Sequence, residues 1–395
     1  MKDGKILVTY RQLYIFIFLA IFVKPAFFEQ IAILDGLINV LRVTVGGFVI
    51  GIYFLKNQMR MSKFIFIMCL FQGSILLSTI VNHASLYRWF QYAVSCLPII
   101  FMVELNRDYP KDILSSAMLL YELLIYANFI TMVVFKNGLY SVEGYSQCWI
   151  LGMKNNFSYH FMPAMAVALL HRRYSGNKIR GNILILTMLL SSLLGRSSTL
   201  LIGIFLTIAL ILLSRTKLVK ILNYRNLTIL YVIISAGMVI GGWQKYFSFI
   251  IVDVLEKDLT LTYRTFMWDR GLKVFLSHPI LGVGKETLEK WTMRIGLEHT
   301  QLHNQLLDYA YVGGSVLLVI VFWANHIIGK TLTKFKENYF AISLNVVIFG
   351  MHVMMISEAY YAAGVYFLFA LGGIADSIIK NAPDIECKVK RWRIN

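Results

Sequence analysis

Arg196, Arg264 and His303 are the side chains in this 395-residue sequence best suited to do chemistry. A guanidinium binds phosphate oxygens in bidentate fashion and stays charged at any physiological pH. An imidazole titrates near neutrality and can take a proton from a hydroxyl. Together they suit displacement of a pyrophosphate leaving group by a sugar hydroxyl. The arginines would stabilise charge developing on the leaving phosphate while the histidine activates the acceptor. His160, His352 and Glu358 fall near the same ends of their hydrophobic runs and could line the same cavity.

The stretch Thr260 to Gly314 carries two of the three. An arginine-bearing helix, TYRTFMWDRGLKVFLS, is followed by the turn HPILGVG and then by HTQLHNQLLDYAYVGG, which puts His303 at the mouth of a hydrophobic run. Thr262 can cap the helix, in which Trp268, Leu272, Phe275 and Leu276 share a stripe while Arg264, Arg270 and Lys273 lie on other faces. His278-Pro279 ends it, because a residue before proline disfavours the helical region. A short helix is expected near Glu286–Arg294. In 245–257, Phe247, Ile250, Ile251, Val254 and Leu255 recur at helical spacing, as in a helix lying on a membrane interface. His299 and His303 are spaced i, i+4 and could ligate zinc, yet no third ligand of the HExxH kind lies near, so no metal and no cofactor is expected.

Positioning these residues falls to a membrane bundle. Apolar residues make up 58% of the chain and charged ones 15%, and the apolar residues come in runs of about twenty, the length that crosses a bilayer. The runs are continuous rather than alternating, which argues against a closed barrel. The expected fold is an all-α polytopic membrane protein, a single membrane-embedded domain over 1–395. Its spans fall near 12–29, 32–55, 64–82, 86–104, 112–135, 157–171, 182–195, 198–213, 226–243, 304–328, 339–357 and 359–379.

The formal charge of +17 lies in short loops between spans, as orientation signals do, and so implies no nucleic-acid partner. Alternation of the basic loops calls for about twelve spans with both termini cytoplasmic. One large outer loop, 244–303, would cap the site from the extracytoplasmic side; it holds eight Lys/Arg nearly balanced by seven Asp/Glu. The four cysteines show no disulfide or metal spacing.

Two places strain this scheme. As one helix, 182–213 would be about 48 Å long, too long for one crossing and too short for two full ones. Two short spans meeting at Gly195-Arg196-Ser197-Ser198 resolve it, which puts Arg196 in a recessed, protein-lined turn; the alternative is an arginine that snorkels outward. Arg42 and Glu122 each lie near mid-depth of a span. Buried ions in hydrocarbon tend to pair, so the expectation is a structural Arg42–Glu122 pair, with a proton relay as the alternative. There is no P-loop, dinucleotide fingerprint, nucleophile elbow or DxD-like carboxylate cluster.

Tyr263-Arg264 through Trp268, the turn FLSHPILGVG and the entry HNQLLDYAYVGG resemble the O-antigen ligase and Wzy-type polysaccharide polymerase superfamily of bacterial inner membranes. SLLGRSSTLLIG is similar to that family's upstream arginine-bearing turn, and LGMKNNFS to a loop common in its polymerases. The resemblance covers about 195–314.

It implies a GT-C-type glycosyltransferase of the cytoplasmic membrane that uses an undecaprenyl-pyrophosphate-linked oligosaccharide and needs no metal. A flippase and a chain-length regulator of the same pathway would be its partners. By carry-over, Arg196 and Arg264 hold the pyrophosphate, His303 is the base, Asn304 supports it, and Arg270, His352 and Glu358 join the substrate-binding set. DYAYVGG lacks the acidic residue many members place before the glycine turn, and Asp308 could stand in. A composition rich in Ile, Lys, Asn, Phe and Tyr favours a capsule or exopolysaccharide polymerase. A ligase of the same superfamily and a lipid-linked oligosaccharide flippase are the alternatives.

Overall fold

The computed structural model describes residues 9–142, 145–247, 263–298 and 301–383. These are mostly α-helical, as apolar runs require, because in hydrocarbon a helix pairs its backbone groups within its own segment. In chain order the helices are α1 (Tyr10–Phe22), α2 (Ala32–Lys56), α3 (Lys63–Val81), α4 (Leu86–Leu105), α5 (Pro110–Val134), α6 (Ser158–Tyr174), α7 (Lys178–Leu194) and α8 (Ser198–Leu213). There follow α9 (Tyr224–Val239), α10 (Arg264–Ser277), α11 (Leu288–Ile295), α12 (Gln305–Lys334), α13 (Tyr339–Met354), α14 (Ala363–Gly373) and α15 (Ala375–Lys380).

A hairpin of β1 (Tyr140–Val142) and β2 (Tyr145–Cys148) pairs antiparallel, with Tyr140 opposite Cys148. Among the described residues α2, α3, α4, α5 and α12 are long and apolar enough to cross a membrane, and α1, α8, α9, α13 and α14 are shorter apolar helices. Helices α6, α13 and α14 are buried on nearly every face and form the centre.

Three departures from the sequence reading have clear physical causes. The first helix stops at Phe22 rather than running to 29, because Pro25 disfavours helical geometry at Lys24. Its freed carbonyls are taken by Arg42, whose Nε and Nη2 donate to Ile21 O (3.0 Å) and Phe22 O (2.7 Å). Arg42 is therefore a helix-end cap, and the expected Arg42–Glu122 pair does not form. Glu122 instead accepts from Arg180 through both carboxylate oxygens, Nε to Oε1 at 2.6 Å and Nη2 to Oε2, which ties α5 to α7. A fork-to-fork pair of this kind satisfies the carboxylate where water is scarce.

The stretch 182–213 does divide into two helices. They meet at Gly195–Ser197, where Gly195 lies against Phe157 and Met132.

The third departure is a break inside α12. Gly314 has φ 63° and ψ −160°, a conformation that L side chains avoid. The turn His278–Gly284 inserts into this break. Val283 N and Gly284 N donate to Tyr311 O and Val312 O (both 2.9 Å), while Ser315 N and Val316 N donate to Pro279 O (2.8 Å) and Ile280 O (3.2 Å). A Cβ on Gly282 would lie 2.3 Å from Tyr311 O, and one on Gly314 2.2 Å from Ile280 O. The glycines are there so that backbone can meet backbone.

Loops at one end of the bundle are stitched to each other. Phe27 N donates to Ile150 O (3.0 Å), Ser85 N to Lys285 O (2.7 Å) and Gln305 N to Met355 O (2.9 Å). Trp243–Phe247 is a short 3-10 turn. The rest of the amphipathic helix expected at 245–257, together with Thr262, His299 and Cys387, lies outside the described residues.

Candidate active site

On α10, Arg264 and Trp268 are one turn apart and share a face. That face is the buried one: Met267, Trp268 and Gly271 are inside, whereas Leu276, expected on the apolar stripe, is exposed. Trp268 donates its Nε1–H to Leu302 O at 2.9 Å. Gly271 admits the Leu302 side chain, whose Cδ1 would stand 2.5 Å from an added Cβ. Anchoring Trp268 on Leu302 carries Arg264 to the residue that follows, His303.

Arg264, His303 and Glu358 form one connected group. Glu358 Oε1 accepts from Arg264 Nη2, and Oε2 lies 2.6 Å from His303 Nδ1. Burial alone would push the Glu358 carboxyl up; the His303 hydrogen bond and the Arg264 charge overcome it and hold the group below the usual carboxylate range. An ionised Glu358 accepts only, so the proton between the two sits on Nδ1, and Nε2 is the ring nitrogen that can take a proton from a substrate. This is the arrangement in which a carboxylate orients an imidazole as a base and stabilises the imidazolium that forms. The side chains keep 13% (Arg264), 18% (His303) and 11% (Glu358) exposure, so the group borders an opening.

The backbone around His303 is fixed from both sides. Asp308 accepts from Leu302 N at 2.9 Å through Oδ1 and from the Tyr361 hydroxyl through Oδ2. Tyr360 N donates to Gln305 Oε1 at 2.6 Å. Asn304 caps α12 by accepting from Leu307 N (3.0 Å), and its Nδ2 donates to Ser235 Oγ (2.9 Å) and Ile356 O (3.0 Å). Asn304 thus supports its neighbour through the chain. Behind Tyr361, the buried Lys285 ammonium sits 3.7 Å from the Tyr92 ring centre and 3.9 Å from that of Tyr361. Burial pushes Lys285 down to about 8, against the pull of Asp308.

Non-glycine residues with positive φ are uncommon and concentrate where function holds them. Among the described residues there are six: Gln58, Met59 and His83 in turns elsewhere, and Arg196 (49°), Tyr263 (65°) and His303 (50°), each a candidate residue or the one immediately before it.

The remaining candidates are placed differently. Arg196 is exposed on the α7–α8 turn and makes no bond to Arg264, His303 or Glu358. Arg270 is exposed, its guanidinium 5.1 Å over the Phe266 ring. His352 is buried, stacked on Tyr231 at 4.6 Å, and lines an apolar cavity between α3, α9 and α12 with Gln305, Tyr309 and Met355. His160 lines a polar chamber near α1 and α2. The sequence placed Glu358 in the substrate-binding set; its hydrogen bond to His303 gives it an orienting position. Asp308, Tyr361 and Trp268 owe their places to partners 6, 53 and 34 residues away respectively. Only the first separation is short enough to read along the chain.

With this geometry in view, residues 182–322 match the family model described as O-antigen ligase. The matched segment runs from α7 into α12 and contains Arg196, Arg264, Arg270, His303 and Asn304. It supports the O-antigen ligase and Wzy-type superfamily for this chain. No curated protein matches the sequence.

Proposed function

We propose that this chain is a polysaccharide polymerase that joins undecaprenyl-pyrophosphate-linked repeat units at the outer face of the cytoplasmic membrane. The family match carries the coarser statement, a membrane enzyme of a superfamily that processes glycans. The Arg264–Glu358–His303 group at the entry of α12 carries the finer one.

In the proposed step His303 Nε2 takes the proton of an acceptor sugar hydroxyl, and that oxygen attacks the anomeric carbon of the donor. The bond from that carbon to the pyrophosphate oxygen breaks, and its electron pair leaves with the lipid pyrophosphate. Arg264 and Arg196 bind the charge that develops there, while Glu358 stabilises the imidazolium. In this reading the chain is a single membrane domain of twelve spans with both termini cytoplasmic, 244–303 caps it from outside, and the group faces the extracytoplasmic side, where a flippase would deliver the substrate.

The test is the His303→Ala chain in a host lacking its own copy. The expected outcome is accumulation of single lipid-linked repeat units with normal amounts of folded protein. Normal polymer from a well-expressed variant would end the assignment. A second reading, transfer of a finished glycan by a ligase, is favoured by the description of the matching family. Its signature is full-length lipid-linked chains when the protein is lost, where loss of a polymerase leaves single repeats.

A further inference from the structure

Beside the Glu358 loop lies a chamber of about 350 Å³ lined by Lys24, Glu29, Arg42, Asn156, Tyr159 and His160, among others. We propose that it is a saccharide subsite, taking a mono- or disaccharide unit of the glycan through its hydroxyls. The proposal rests on the glycan-transfer reading above.

The chamber has the size of a small-molecule site and exists because α1 ends early. The chain turns away at Pro25, Arg42 bonds the exposed helix end, and the space between α1, α2, α6 and the start of α14 is left open.

Its charges are already answered. Lys24 pairs with Glu29 at 3.3 Å and with Asp35, and Arg42 spends Nε and Nη2 on the carbonyls of Ile21 and Phe22. A pyrophosphate would call for a guanidinium fork directed at it. What the chamber offers is a set of mixed donors and acceptors: an amide, an imidazole, a carboxylate and a tyrosine ring. That mixture matches sugar hydroxyls, each of which both donates and accepts.

His160 is the second observation. It is 6% exposed, lines the chamber, and its Nδ1 is buried without a hydrogen-bond partner among the described residues. Buried polar atoms are paired as a rule; Nδ1 is closed off from the chamber in this rotamer, and a turn of the ring would bring it to a ligand hydroxyl.

The chamber also adjoins the candidate active site. Tyr159 meets Tyr360 edge-on, ring centres 5.5 Å apart, and Tyr360 is two residues from Glu358. The same loop goes on through Ala362 and Gly364 to line the chamber. A sugar held there would be separated from the Glu358 loop by the Tyr159–Tyr360 ring pair.

The experiment is saturation-transfer NMR on the full chain in nanodiscs. The probe is the oligosaccharide released by mild acid from the host's lipid-linked repeat unit, which carries neither lipid nor phosphate. Binding to the native chain and to His303→Ala is expected, with affinity about tenfold weaker in His160→Leu and in Asn156→Ala, the loss of one or two hydrogen bonds. Thermal melting of each variant checks its folding, and either variant alone suffices if the other fails to fold. Strongest transfer to the non-reducing ring would identify the acceptor glycan, and to the reducing-end ring the donor; both support the subsite. Unchanged affinity in the folded variants, or displacement of the sugar by inorganic pyrophosphate through the chamber residues, would overturn it. If instead removal of the whole chain from the host leaves polymer and lipid-linked glycans unchanged, the transfer reading fails while the binding result stands by itself; polymer from His303→Ala would remove only the base assignment.

Discussion

The Trp268 indole donates to the carbonyl of Leu302 at 2.9 Å, and this bond, with Glu358 bridging Arg264 and His303, holds the two halves of the candidate site together. Arg264 lies one turn before Trp268 on α10, and His303 is the next residue after Leu302. Trp268→Phe removes the bond and leaves a smaller aromatic ring in a buried site. It is expected to lower stability by about 2–3 kcal/mol, the lost bond plus the cavity, and to reduce polymer formation by about tenfold or more, because α10 loses its register on the turn. Initial rates at matched protein levels measure this; a native rate would show that the register is held by packing alone.

Glu358 bonds both Arg264 and His303, so its charge and its shape can be separated. Glu358→Gln keeps the size but removes the anion that fixes the Nδ1–H tautomer and stabilises the imidazolium. A fall of about 10²-fold or more in turnover is expected, within the range typical of oriented general bases. The variant should accumulate in the membrane like the native chain. The check is single-turnover product formation from a purified lipid-linked repeat unit.

Asp308 touches neither reacting group, yet it holds Leu302 N and the Tyr361 hydroxyl. Asp308→Asn can still accept once but can no longer serve both donors as an anion. The expected result is a drop in kcat with little change in KM, since binding groups stay in place while the His303 turn loosens. An unchanged kcat would reduce Asp308 to an ordinary helix residue.

Gly314→Ala tests the break in α12. The added Cβ would meet Ile280 O at 2.2 Å at a residue with φ 63°, so the turn His278–Gly284 must leave its seat. Loss of most folded protein is expected, read by fluorescence size-exclusion chromatography of the tagged chain. Gly36→Ala, where nothing lies within 4 Å of the added atom, is the matched control and should express normally.

Lys285 gives a pH signature. Its folded value of about 8 lies below the ordinary 10.5, so above pH 8 the folded chain sheds this proton before the unfolded chain does. The unfolded state then binds more protons, and stability contributed by this group rises with pH between about 8 and 10.5. The apparent melting temperature of the native chain should therefore rise by a few degrees, relative to Lys285→Met, between the two ends of that window. Parallel curves for the two chains would show that Lys285 titrates outside it.

Much of this was legible along the chain because it depends on near neighbours. Runs of apolar residues make helices wherever water is absent. The helix that carries Arg264 and Trp268, and its stop at His278-Pro279, follow from local spacing, although the sequence put these two side chains on different faces and the structure puts them on one. The split of 182–213 at Gly195-Arg196-Ser197-Ser198 followed from its length together with the basic clusters on both sides, which call for two crossings.

Pairing was another matter. Glu358 is 55 residues from His303, and Arg180 is 58 from Glu122. A charge's depth in a span says that it needs a partner but not which of several helices supplies it. Only packing decided that Arg42 would cap a broken helix rather than meet Glu122, that His352 would stack on Tyr231 away from His303, and that Glu358 would stand between an arginine and a histidine. Electrostatic and hydrogen-bonding forces act through space at a few ångströms, and the folded bundle sets those distances.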